Sequence, residues 1–225
     1  MGQAIGEILP LAIGVAISPV PIIAIVLMLG TPRARSNGLA FALGWIAGLT
    51  IAGGALLALA SGNSQEDDGG PETWVSIVKL VLGALFILLA ARTWRGRPRA
   101  GQEAVLPKWM QAIDTFTTGK SFGLGVLLSG VNPKNLALTI AAATTIAQTG
   151  ISGGQAAGAL GIFIFIGSLS ILTPVAIYFA MGTRAAVILD ELKAWMGAHN
   201  AAIMTVLLLV LGAKLIGDAI GGLSL

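Results

Sequence analysis

Six stretches of mainly apolar residues follow one another along the chain, from Ala4 to Leu29, Gly38 to Ala60, Trp74 to Ala91, Phe122 to Ala147, Gln155 to Met181 and Ala201 to Gly221. A bilayer core about 30 Å thick is crossed by about 20 helical residues, so the pattern predicts six transmembrane helices. The first stretch carries Glu7, lacks a basic leading region and runs well past the roughly 7 to 15 apolar residues of a secretory signal, which marks it as a span. Between spans three and four, Trp109, Ala112, Ile113 and Phe116 recur at helical spacing opposite Lys108, Gln111 and Asp114. That spacing predicts a short helix lying in the membrane interface.

Composition agrees with the pattern. Hydrophobic residues make up 56% of the chain and charged residues 10%, against about 25% charged in soluble domains; mean hydropathy is +0.89. There is no cysteine and a single histidine, His199. Disulfides, thiolate metal sites and cysteine nucleophiles are thereby excluded, along with almost any serine–histidine triad, and no cofactor is implied. His199 follows Trp195 and is read as interfacial.

The distribution of charge gives direction. Arg33 and Arg35 follow span one, Arg92, Arg95, Arg97, Arg99, Lys108 and Lys120 follow span three, and Arg184 and Lys193 follow span five. The other loops hold no basic residue, and the first of them carries Glu66, Asp67, Asp68 and Glu72. By the positive-inside rule both termini face outward, and the basic stretch is an orientation signal rather than a nucleic-acid patch. The chain then divides into a first three-helix unit (1–91), a basic cytoplasmic linker (92–120) and a second three-helix unit (121–225).

Three spans per unit make the second unit inverted relative to the first. Short matches recur in consistent order: LVLGA at Leu80–Ala84 and Leu209–Ala213, and Ala42-Leu43-Gly44 against Ala159-Leu160-Gly161. The expected fold is therefore an all-α integral membrane protein of two inverted three-helix repeats. The most informative correspondence sets Ser18-Pro19-Val20-Pro21 against Asn132-Pro133-Lys134-Asn135, each about halfway along its span. A proline inside a helix costs about 3 kcal/mol, a cost that falls if each span is broken there. Ser18 and Asn132 would cap the new half-helices, with Pro19 and Pro133 at the first position and Pro21 in the first turn. Lys134 would sit between two helix N-termini, a positive focus suited to an anion held with Asn135. The alternative is a pair of proline kinks with Lys134 bonded to carbonyls freed by the break.

Away from the midplane, Glu7, Lys79, Lys214 and Asp218 could line an outward exit path, or form separate salt bridges, with Lys79 snorkelling to the surface. No carboxylate lies near the midplane, which argues against a metal or cation pathway. Gly44/Gly48, Gly154/Gly158 and Gly217/Gly221 have the GxxxG spacing of close helix packing, within one chain or in a homodimer.

The SPVP motif, VNPKNLAL (Val131–Leu138) and PKWMQAID (Pro107–Asp114) resemble the LysE superfamily of bacterial exporters, and within it the GAP, or sulfolipid-addressing protein (Sap), family. The resemblance spans nearly the whole chain. It implies a multi-pass protein of the bacterial inner membrane that is not an enzyme and that delivers glycolipids or peptidoglycolipids to the actinobacterial cell envelope. Together with the residues it suggests an exporter of an anionic lipid working by alternating access. Export of a small amino acid or similar solute, and a non-transporting scaffold for glycolipid-synthesis enzymes, stay open as alternatives.

Overall fold

The computed structural model describes residues 1–62, 71–97, 110 and 112–223, and the described residues form helices and turns without strands. The first apolar stretch is two helices, α1 (Gly2–Ala16) and α2 (Pro19–Leu29), meeting at Ile17 and Ser18 with a bend of 51°. Then come α3 (Ala34–Gly62) and α4 (Pro71–Arg95). The fourth stretch comprises α5 (Thr118–Val126), a π-helical turn (Leu127–Val131) and α6 (Pro133–Gln148). Gly150 and Gly182, at φ of +62° and +56°, turn the chain into α7 (Gly153–Met181) and α8 (Ala185–Leu223). Such left-handed backbone costs glycine nothing, because it has no Cβ.

Among the described residues, α3, α4, α7 and α8 are each long and apolar enough to cross a membrane, and α1 with α2 makes a fifth span if taken as one bent element. The molecule is thus an all-helical, multi-pass membrane protein. At 9 and 16 residues, α5 and α6 each fall short of the about 20 needed, so the expected fourth span is made of two pieces.

One expectation is corrected. The segment after span five, read as a loop carrying Arg184, Lys193 and His199, is mostly the first part of α8. Residues such as Ala185, Leu189, Glu191, Leu192 and Met196 favour helix, and no proline interrupts them; hydropathy marked where membrane begins, not where helix begins. There Lys193 pairs with Asp190 at 2.6 Å, and His199 stacks on Trp195 with ring centroids 4.7 Å apart. In the linker, Ile113–Thr115 is a 3₁₀ turn whose Ile113 is buried in the core against α2, and most of the short helix expected before it lies outside the described residues. Phe116, just beyond, offers its carbonyl to Asn37 Nδ2 at 2.9 Å, which ties the linker to the start of α3. Arg99, Lys108, Trp109 and Gln111, like Glu66, Asp67 and Asp68, lie outside the described residues.

Two backbone-close contacts organise the bundle. Gly44 and Gly48 on α3 face α5 and the π turn: a Cβ on Gly48 would lie 2.8 Å from the Val126 carbonyl oxygen, and one on Gly44 would overlap the Phe122 carbonyl. Gly125 answers from α5 against the Phe41 carbonyl. This GxxxG pair is therefore used inside the chain. On the other side α4 packs along α8 through the two LVLGA segments. A Cβ on Gly83 would lie 2.9 Å from the Gly212 carbonyl oxygen and 2.7 Å from Ile216 Cγ1, and one on Gly212 would lie 3.0 Å from the Gly83 carbonyl oxygen and 2.9 Å from Ile87 Cδ1. The contact is reciprocal, residue for residue.

Candidate functional site

Both proline motifs break their helices. Pro19 and Pro133 stand at the first position of α2 and α6, preceded by Ser18 and Asn132. Asn132 caps with its side chain, its Oδ1 accepting the Lys134 backbone N–H at 3.1 Å. Ser18 does not. Its hydroxyl turns back and donates to the Val15 carbonyl at 2.6 Å, because Pro19 has no N–H to offer that oxygen. Of the first three positions of α2 only Val20 carries an N–H, so a capping side chain has little to satisfy there.

The same accounting explains Lys134. Pro21 deprives the Ile17 carbonyl of its donor, and the end of α1 leaves the Gly14 carbonyl without one. Lys134 Nζ donates to Ile17 O at 3.0 Å, to Gly14 O at 2.8 Å and to Ser18 Oγ at 2.6 Å. The remaining carbonyls of this stretch are also met: Ile13 O by the Ile17 N–H, and Ala16 O by the Ser18 N–H. An ammonium has three protons, so Lys134 is saturated. Its partners are the negative end of the α1 dipole and a hydroxyl; among the described residues no carboxylate pairs with it. Lys134 and Ser18 are 7% and 3% exposed.

Asn135, fully buried, donates from Nδ2 to the Leu128 carbonyl at 2.9 Å, one of the groups left over by the π turn, and its Oδ1 lies 3.4 Å from Ser18 Oγ. Ser18, Lys134 and Asn135 thus meet in one buried polar knot that fastens α6 to the end of α1; Asn132 caps beside it half-buried, Pro133 is exposed, and Pro21 acts by the donor it lacks. The ammonium sits against the C-terminal carbonyls of α1 and against Ser18, the residue that precedes α2.

A family model described as "Sap, sulfolipid-1-addressing protein" matches residues 8–221. The chain belongs to the Sap family. No curated protein and no solved structure matches it. The match takes in both proline motifs and everything between them.

In this Sap-family chain Glu7, Lys214 and Asp218 all lie within electrostatic reach of Lys79. Lys214 and Asp218 form an ion pair at 2.5 Å along α8, and Glu7 accepts from Gln3 at 3.0 Å. Lys79 does not snorkel: only 8% exposed, it donates to Gln148 Oε1 at 2.9 Å, joining α4 to the far end of α6. Gln148, Gly14, Val15 and Ile17 were not anticipated. The last two were findable, since each stands four residues before a proline and so loses its helical donor. Gly14 and Gln148 carry no such signal.

Proposed function

We propose that this Sap-family protein exports an anionic lipid of the bacterial envelope across the inner membrane by alternating access about the Ser18–Lys134 knot. The observation that carries the proposal is a buried ammonium whose partners are two carbonyls and a hydroxyl, with no carboxylate. Placing lysine deep in a membrane costs about 2.5 to 3.5 kcal/mol, and neutral acceptors offset this less well than an anion does. When the knot opens, a sulfate, phosphate or carboxylate head group exchanges for the α1 carbonyls; when it closes, they displace the anion again. An inside-negative potential of about 100 mV favours outward movement of one negative charge by about 2.3 kcal/mol, so the cycle needs no proton carrier.

The inverted arrangement is supported by the reciprocal Gly83–Gly212 contact and by matched packing: α3 lies on α5, the first half of the fourth stretch, as α7 lies on α1, the first half of the first. The basic residues at the ends of α2, α4 and α7 support a cytoplasmic position for that end, with both termini outside. A lipid cargo is taken from the family description.

The test is reconstitution in vesicles with a fluorescent anionic lipid placed in one leaflet. Wild type is expected to move it and Lys134→Met to lose that movement, with Lys134→Arg intermediate. Equal movement by wild type and Lys134→Met would end the assignment.

A further inference from the structure

Three cavities follow one another along the seam that α8 makes with α1, α2 and α7. The first, about 390 Å³, is at the basic end between Val26, Gly30 and Arg35 on one side and Leu189 and Asp190 on the other. The second, about 420 Å³, lies between Ile17 and Ile22, the α7 residues Leu169, Thr173 and Pro174, and the α8 residues Leu192 and Met196. The third, about 640 Å³, lies between Leu9, Ile13 and Ile17 and the α8 residues Ile203, Val206 and Leu211. Successive turns of α8 line all three, α7 closes the first two through Tyr178 and Thr173, and Ile17 belongs to both the second and the third. The gap exists because α8 packs on α2 but only grazes α1, which diverges from it beyond the 51° bend.

From Leu189 to Leu211 this face of α8 runs roughly 33 Å at about 1.5 Å per residue, close to the about 30 Å thickness of the hydrocarbon core. The third cavity opens sideways, its rim made of exposed Ile13, Val206 and Val210. In a bilayer such a rim faces acyl chains, not water. Arg35, beside the first cavity, supplies positive charge at the level of a head group. Ile17 joins the seam to the polar knot: its side chain lines the cavities while its carbonyl holds Lys134.

We infer that this seam is a track for the acyl chain of a membrane lipid. The chain stays in the apolar groove along α8 while the anionic head group travels from Arg35 past Lys134. A site holding a lipid of one leaflet needs only half the membrane thickness; a groove spanning all of it fits passage. The track presupposes the lipid export proposed above.

The full chain in nanodiscs, given phosphatidylglycerol bearing a photoreactive diazirine on its acyl chain, tests it. Adducts mapped by mass spectrometry are expected at Ile13, Ile203 and Val206 at several times the yield at Ile51 and Leu88, which are equally apolar and more exposed than Ile13. Val206→Trp, on an exposed position that tolerates bulk, should fill the groove and remove the excess. Even labelling of all exposed apolar positions, or cross-links between two copies of the protein through the seam, would overturn the track. If Lys134→Met abolishes export while labelling is even, the seam alone is wrong; if the excess persists and Lys134→Met exports normally, the ammonium assignment alone is wrong.

Discussion

A double-mutant cycle on Lys134 and Ser18 probes the polar knot directly. The 2.6 Å bond from Nζ to the Ser18 hydroxyl is buried and charge-assisted. Hydrogen bonds to charged groups contribute about 1.5 to 3 kcal/mol, whereas interhelical bonds within membranes average about 0.6 and reach about 1.7 kcal/mol. A coupling of about 1 to 3 kcal/mol is therefore expected between Lys134→Met and Ser18→Ala. Lys134→Met by itself removes a charge that costs about 2.5 to 3.5 kcal/mol to insert, but strands the Gly14 and Ile17 carbonyls at about 1 to 3 kcal/mol each. These terms nearly offset, so its net effect on stability stays within about 3 kcal/mol and a folded variant is obtained. The assay is reversible unfolding of the four proteins in mixed detergent–SDS micelles, followed by tryptophan fluorescence. Coupling below about 0.5 kcal/mol, the ordinary scatter of additive substitutions, would refute the claim that the ammonium and the hydroxyl hold the two halves together.

Gly83→Ala and Gly212→Ala each drive a methyl into the partner helix, so each should lower stability by about 1 to 3 kcal/mol, and the double variant should lose less than the sum because both disturb one contact; strict additivity in the same unfolding assay would refute the shared contact. Gly48→Ala on α3 should sharply reduce folded yield, judged by size-exclusion chromatography, since the methyl meets the Val126 carbonyl and Ser129 Oγ. Gly54→Ala on the same helix has nothing within 4 Å and should be neutral or gain up to about 1 kcal/mol from helix propensity; equal loss in both would remove the packing explanation. Because the chain has no cysteine, Gly2→Cys and Arg35→Cys report topology cleanly. A membrane-impermeant maleimide added to intact cells should label the first and spare the second, and the reverse pattern would invert the proposed orientation.

The breaks in the first and fourth stretches were legible because proline leaves a local signature: a missing donor, a fixed φ and a preference for the first turn of a helix. What repairs them was only half legible. Asn132 caps with its side chain, while the Ser18 hydroxyl is claimed by the Val15 carbonyl that Pro19 leaves without its helical donor. The Lys134 side chain reaches Gly14 and Ile17 across more than a hundred residues of sequence, and no periodicity in one chain encodes that distance. Lys79 illustrates the same point at the far end. Its position near a span terminus suggested snorkelling, yet Gln148 lies near enough to hold it inside. The start of α8 was hidden for a different reason, since hydropathy reports the surrounding solvent and is silent about a helix that continues out of it.

The interlocked glycines of α4 and α8 restrict how the molecule can move. With each backbone seated under the other's carbonyl and flanked by Ile87 and Ile216, sliding one helix past the other would force an isoleucine into a peptide group. The pair must therefore travel as a single body. Any change of shape falls to the elements that are already severed, α1 with α2 and α5 with α6, whose short segments can swing about a fulcrum that does not itself bend.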